Sequence, residues 1–177
     1  MEPIVHFAIP FFALRLSGVE LRKALPVSFF AVLPDLDALF LVHRSASHSL
    51  VVQFISMAPA LLLAYRFRRG LLGPLTLAFL ALASHPLLDM FSGYTPILWP
   101  LHSQSLWVQF SLTAHIGSGP SLMPRVGLLA KPVTFERLQG LDAPIFTGES
   151  LTASGILLIS LFIGAFRGML RHRPGKR

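Results

Sequence analysis

Asp35 and Asp37 stand one residue apart after Pro34, and His43 and His48 follow as H-x4-H with Arg44 beside the first. Further on, Ser84-His85-Pro86-Leu87-Leu88-Asp89 sets an imidazole and a carboxylate four residues apart. These are the donors of a divalent-cation site, since zinc is held by histidine nitrogens and carboxylate oxygens. The chain has no cysteine, which excludes disulfides and thiolate sites. The remaining donors suit zinc, manganese or magnesium better than copper(I) or an iron–sulfur cluster. One helical turn separates His85 from Asp89, so on a helix they share a face. Pro86 removes a backbone donor and frees the carbonyl of Leu82; the helix either kinks there or restarts with Ser84 as cap, and both keep the pair adjacent. A charged Asp89 near hydrocarbon costs about 3 kcal/mol unless it is paired. Arg44, His85 or a metal are its candidate partners.

Each residue also has a plainer reading. Asp35 and Asp37 could be a helix cap beside a solvated carboxylate. His43 and His48 could be polar tips in lipid headgroups, with Ser45 and Ser47 capping the helix that follows. Arg44 could pair with Asp35 or Asp37, or bind a phosphate through its guanidinium fork. His6, isolated in an apolar stretch, reads as either a packed histidine or a ligand. His102 and His115 read as surface residues, and His172 sits in a basic tail.

The elements that must position these groups are apolar. Of 177 residues 53% are hydrophobic and 13% charged, with a mean hydropathy of +0.65. Soluble domains carry about 25% charged residues, so this is an integral membrane protein of one domain. The net charge of +7 lies in clusters beside apolar runs, as orienting charges do, so nucleic acid is not an expected partner. The N-terminus lacks the order of a signal peptide.

Ser49–Tyr65, Leu71–Phe91 and Leu151–Phe166 read as membrane helices. Pro3–Leu16 and Ala24–Leu41 read as a short helical hairpin, its second arm ended or kinked by Pro34. The expected fold is an all-α integral membrane bundle of about five helices, two of them short and N-terminal. A small β-rich extramembrane insertion precedes the last helix, with strands at Ser105–Thr113 and Pro132–Leu138. The expected divisions are 1–101 for the metal-site helices, 102–150 for the insertion, and 151–177 for the last helix and a basic cytoplasmic tail. Five crossings put eleven basic residues on the cytoplasmic face and Arg44, Arg125, Lys131 and Arg137 opposite. That threading brings His6, Asp35, Asp37, His43, His48, His85 and Asp89 to one membrane depth at the outer face.

The order His6, P-D-L-D, H-R-x-x-x-H-S, S-H-x-L-L-D, then G-Y and W-P resembles the YdjM-like family of membrane-bound, predicted metal-dependent hydrolases over residues 1–101. The family commonly has glycine and threonine near Ser45, Ala46 and Ser47, away from any proposed ligand. The order His, Asp, His, His-x-x-x-Asp is also similar, more distantly, to the zinc-dependent phospholipase C and nuclease group. That resemblance implies one zinc held by Asp35 or Asp37 with His48, His85 and Asp89. It implies a second zinc on His6, with Asp89 bridging.

Together these lead to a membrane-bound metal-dependent hydrolase acting on a phosphoester of an amphiphilic or lipid-like substrate at the outer face of the inner membrane. One or two divalent ions, zinc first and manganese or magnesium as alternatives, would rest on His6, Asp35, Asp37, His48, His85 and Asp89. Of Asp35 and Asp37, the one that is not a ligand would act as general base. Arg44 or His43 would stabilise charge developing on the substrate. The alternative is a transporter using the same cluster.

Overall fold

A computed structural model describes residues 2–171 other than 117, 118, 120, 136, 141–144 and 146, with side chains described up to residue 161 apart from 160. Pro3 sits in the first turn of α1 (Pro3–Leu16), where its missing N–H costs no hydrogen bond. The helix ends at Ser17, and Gly18 makes the turn with φ +81°. α2 (Leu21–Phe29) follows and tightens into a 3-10 segment, Phe30–Phe40. Eleven residues is long for 3-10 geometry, which rarely lasts more than a turn. Leu41, with φ +58°, stops it.

A short 3-10 turn, Ala46–His48, capped by Ser45, leads into α3 (Leu50–Phe67). The Ser49 hydroxyl caps α3 by accepting from the N–H groups of Val51 and Val52. α4 (Leu72–Asp89) runs unbroken through Pro86 to Asp89. Val27, Ala31 and Ala81 form a small core between the α2 region and α4, with Leu14, Phe30 and Leu77 packed around it. Small residues there let the backbones approach closely.

β1 (Gln104–His115) and β2 (Ser121–Pro132) pair antiparallel, in register from Gln104↔Pro132 to His115↔Ser121. The base of this ribbon is fixed to the end of α4. The N–H of Val108 donates to the Met90 carbonyl at 2.8 Å, and Thr95 and Leu106 exchange two backbone bonds of 2.9 Å. α5 (Gly148–Arg171) then packs against α1. Glu2 is the clasp. Its carboxylate accepts from the N–H and hydroxyl of Thr147, at 2.6 and 2.8 Å, and from the hydroxyl of Ser150.

The expected all-α bundle of about five membrane helices is overturned. Among the described residues two helices are long and apolar enough to cross a membrane, Leu50–Phe67 and Arg69–Asp89. A bilayer core of ~30 Å needs about 20 helical residues. α1 has 14 residues, and the described apolar part of α5, Gly148–Ile159, is likewise short. The arm expected over Ala24–Leu41, ended or kinked at Pro34, instead changes at Phe30 from α2 to the 3-10 segment, which runs on through Pro34. The ribbon also makes the fold mixed rather than all-α. The second strand lies at Ser121–Pro132, not at Pro132–Leu138; Glu136 and the basic tail 172–177, with His172, lie outside the described residues.

Candidate metal centre

α1, the 3-10 segment, the turn before α3, and α4 each deliver polar side chains to one point. His6, His48, His85 and Asp89 are fully buried there. Two triads overlap, His6–Asp35–His85 and His48–His85–Asp89, with the donor atoms of each within 4.8 Å of one another and His85 common to both. Asp89 accepts from His6 Nε2 at 3.2 Å through Oδ1. Its Oδ2 lies 3.4 Å from His48 Nε2 and 3.6 Å from His85 Nε2. Asp35 Oδ1 lies 3.4 Å from His85 Nε2 and 3.7 Å from His48 Nε2. The His6 and His85 rings stack at 3.7 Å.

The outer partners of the rings fix what the inner nitrogens are. His85 Nδ1 donates to the Ala31 carbonyl at 2.6 Å. His48 Nδ1 faces Asp37 Oδ2 at 3.2 Å and the Ser47 hydroxyl at 3.0 Å. A neutral imidazole that donates through Nδ1 carries a lone pair on Nε2. Two such lone pairs then face each other, because His85 Nε2 and His48 Nε2 are 3.0 Å apart. That arrangement is unfavourable unless a proton shared as an N–H···N hydrogen bond, or a metal ion, lies between them. Tetrahedral zinc with Zn–N about 2.0–2.1 Å separates its ligands by roughly 3.3 Å, and the inner spacings of 3.0 to 3.7 Å bracket that value. Asp35 Oδ2 and His6 Nδ1 are buried with no hydrogen-bond partner among the described residues. The donor set therefore fits a divalent ion of the zinc type.

The 3-10 geometry separates the two aspartates. At three residues per turn, side chains two apart point roughly 120° away from each other. Asp35 consequently enters the cluster, while Asp37 lies behind His48 and is held by the Ser45 N–H at 2.8 Å and the Ser47 hydroxyl at 3.2 Å. It orients the imidazole from outside, as carboxylates behind metal-binding histidines do. Burial opposes ionisation of both, but the imidazoles outweigh it. His48 and His85 hold Asp35 well below the usual carboxylate range, and His48 with the Ser45 N–H lowers Asp37.

Arg44 closes the site on the ribbon side. Its Nε lies 3.4 Å from Asp89 Oδ2, Nη2 donates to the Ser92 hydroxyl at 2.7 Å, and Nη1 to the Tyr94 carbonyl at 3.3 Å. Its ion-pair partner is thus Asp89 rather than Asp35 or Asp37. Arg44 has φ +56°, an uncommon conformation outside glycine that local structure must enforce. Gly93 is the reason the guanidinium fits, since a Cβ there would overlap Nη1 and stand 3.2 Å from Cζ. His43 stays outside the cluster, its ring 5.9 Å from that of His48; burial and then Arg44 push it toward the neutral form. A cavity of about 380 Å³ opens here, with His43, Arg44, Ser92 and Gly93 on one side and Trp107 and Lys131 of the ribbon on the other. Sequence reasoning missed the Ala31 carbonyl, Ser92 and Lys131. Only Gly93 left a signal, as the glycine of the G-Y pair after Asp89.

A family model described as "YdjM inner membrane protein" matches residues 1–172, extending well beyond the first hundred residues that carry the motifs. No curated protein and no solved structure matches the chain.

Proposed function

This chain belongs to the family of YdjM inner membrane proteins, and on that footing we propose that it is a metal-dependent hydrolase cleaving a phosphoester of an amphiphilic substrate at the outer face of the inner membrane. The observation that carries the reading is the convergence of buried donors in two overlapping triads, His6–Asp35–His85 and His48–His85–Asp89, with His85 Nε2 and His48 Nε2 3.0 Å apart. His6, Asp35, His48, His85 and Asp89 would hold one or two zinc ions, or manganese. Such an ion supplies Lewis acidity and water acidic enough to ionise near neutral pH.

The chain's own groups divide the remaining tasks. Asp37 and the Ala31 carbonyl keep His48 and His85 in the donor tautomer. Asp35, held ionised by His48 and His85, serves as a donor to the ion rather than as a base. Arg44, beside Asp89 and lining the cavity, offers positive charge to a substrate oxygen. For orientation, Arg66, Arg68 and Arg69 lie at the ends of α3 and α4 remote from the cluster. Basic residues favour the cytoplasmic side, so the metal site faces outward at headgroup depth, which suits a lipid-like substrate.

The test is Asp89→Asn, which keeps shape and removes charge. Wild-type protein purified in detergent should carry zinc or manganese and hydrolyse a phosphomonoester or phosphodiester. In the variant metal content should fall, and turnover should drop by about tenfold or more. No turnover across a broad phosphoester panel with zinc, manganese or magnesium supplied would sink the proposal. Asp89-dependent flux in vesicles under those conditions would assign the cluster to transport instead.

A further inference from the structure

The register of the ribbon sorts its residues by polarity. The five cross-strand pairs from Leu106↔Ala130 through Phe110↔Val126 to Ala114↔Leu122 place ten residues on one face, and all ten are apolar. The pairs between them make the other face mixed: it carries Gln109, Ser111, Thr113, Arg125 and Lys131 together with Trp107, Leu129 and Met123. The two charged residues of the strands, Arg125 and Lys131, are both cations and both on that mixed face, which holds all the polar side chains between residues 105 and 114. No described part of the chain covers the apolar face toward its tip, where Phe110 is 67%, Val126 74% and Leu128 65% exposed.

We infer that the ribbon is a membrane-seated arm, its apolar face resting in the lipid interface and its cationic face turned to the headgroup phosphates. The inference rests on the membrane placement of α3 and α4 and not on the hydrolase reading. Three observations choose lipid over a protein partner. The base of β1 is bonded to Met90, one residue past the end of α4, so the arm starts at the level where that span leaves the hydrocarbon. Tyr94 and Trp107 meet edge to face at this base, and Lys131 lies over the Tyr94 ring at 4.7 Å. Aromatic and cationic side chains of this kind collect at membrane interfaces. The face is also too small for a stable dimer. Twelve residues at ~3.4 Å each by about 10 Å of width give roughly 400 Å², against the ~800 Å² per partner of a standard interface.

The absence of native cysteine makes the test direct. Single cysteines replace Phe110 or Val126 on the apolar face, Gln109 or Arg125 on the mixed face, and Ile55 or Leu62 on α3 as references. Each full-length variant is spin-labelled in nanodiscs of phosphatidylcholine and phosphatidylglycerol. Collision rates are then measured with oxygen, which partitions into lipid, and with a water-soluble nickel chelate. Labels at 110 and 126 should resemble the α3 references, with several-fold higher oxygen preference than labels at 109 and 125. Uniform nickel access along the ribbon with the α3 references in lipid overturns the inference and leaves the membrane reading standing. Shielding from both reagents with spin–spin broadening between molecules also overturns it, because a second copy then covers the face. Nickel access at the α3 references removes the membrane placement and this inference with it.

Discussion

Gly93 sets the position of a charge without touching a ligand. The Arg44 guanidinium lies where a side chain at 93 would have to be, tied to Asp89, Ser92 and the Tyr94 carbonyl. Gly93→Ala should push it off Asp89 while leaving the cluster intact. The expected result is unchanged metal content with phosphoester turnover reduced by roughly tenfold or more, as for loss of a charge-stabilising donor. Equal turnover in the variant and the wild type would deny Arg44 that role. At this scale much was legible in advance: ionisable residues are costly in an apolar chain, so those present drew attention. Which aspartate enters the cluster was not legible, because the choice depends on the 3-10 geometry of Phe30–Phe40, and helical spacing gives a different direction. His85 was read by its face with Asp89, but the carbonyl that fixes its tautomer is 54 residues away in sequence.

Among the elements, α3 has a sharply defined start that also serves the site. The Ser49 hydroxyl accepts from two N–H groups of α3 and donates to the Trp99 carbonyl, next to His48. Ser49→Ala should remove the cap and leave the part-buried Trp99 carbonyl short of a donor. Stability of the detergent-solubilised protein, followed by denaturant titration, should fall by about 1–2 kcal/mol. A variant as stable as the wild type would show the cap to be redundant. Elements were read unevenly from sequence. Ser105–Thr113 stood out because apolar Leu106, Val108, Phe110 and Leu112 alternate, though imperfectly, with polar residues there. Its partner did not, because Pro124 and Gly127 within Ser121–Pro132 look like breakers and become a strand only when β1 supplies the register. Of the expected N-terminal hairpin the first arm, Pro3–Leu16, is found as read, but it is too short to cross a membrane, and the second arm gives way to 3-10 geometry before Pro34.

For the molecule as a whole, the two helices long and apolar enough to span, joined by Arg66, Arg68 and Arg69, make a hairpin with the candidate metal site at its open end. Cysteines introduced at Gly70 and at Ser103 should therefore label from opposite sides. In intact cells stripped of the outer membrane, Ser103→Cys should react with an impermeant thiol reagent, and Gly70→Cys only after lysis. Labelling of both from one side would remove the hairpin and the outward-facing site together. Basic-residue counting from sequence pointed to the same sidedness for the arginine loop, but it took five crossings to distribute the charges, and among the described residues two helices are long and apolar enough to cross.

The clasp at Glu2 has a consequence for the order of events during synthesis. Every donor of the cluster lies between residues 6 and 89, so all have left the ribosome while the ribbon and α5 are still being made. Yet the helix that carries His6 is anchored at its first turn by Thr147 and Ser150, which emerge almost sixty residues after Asp89. A nascent chain thus owns all its candidate ligands well before it owns the hook that fixes the first of them. Metal capture in the cell would then be a two-stage process, with His48, His85 and Asp89 competent early and His6 locked only when translation is nearly finished.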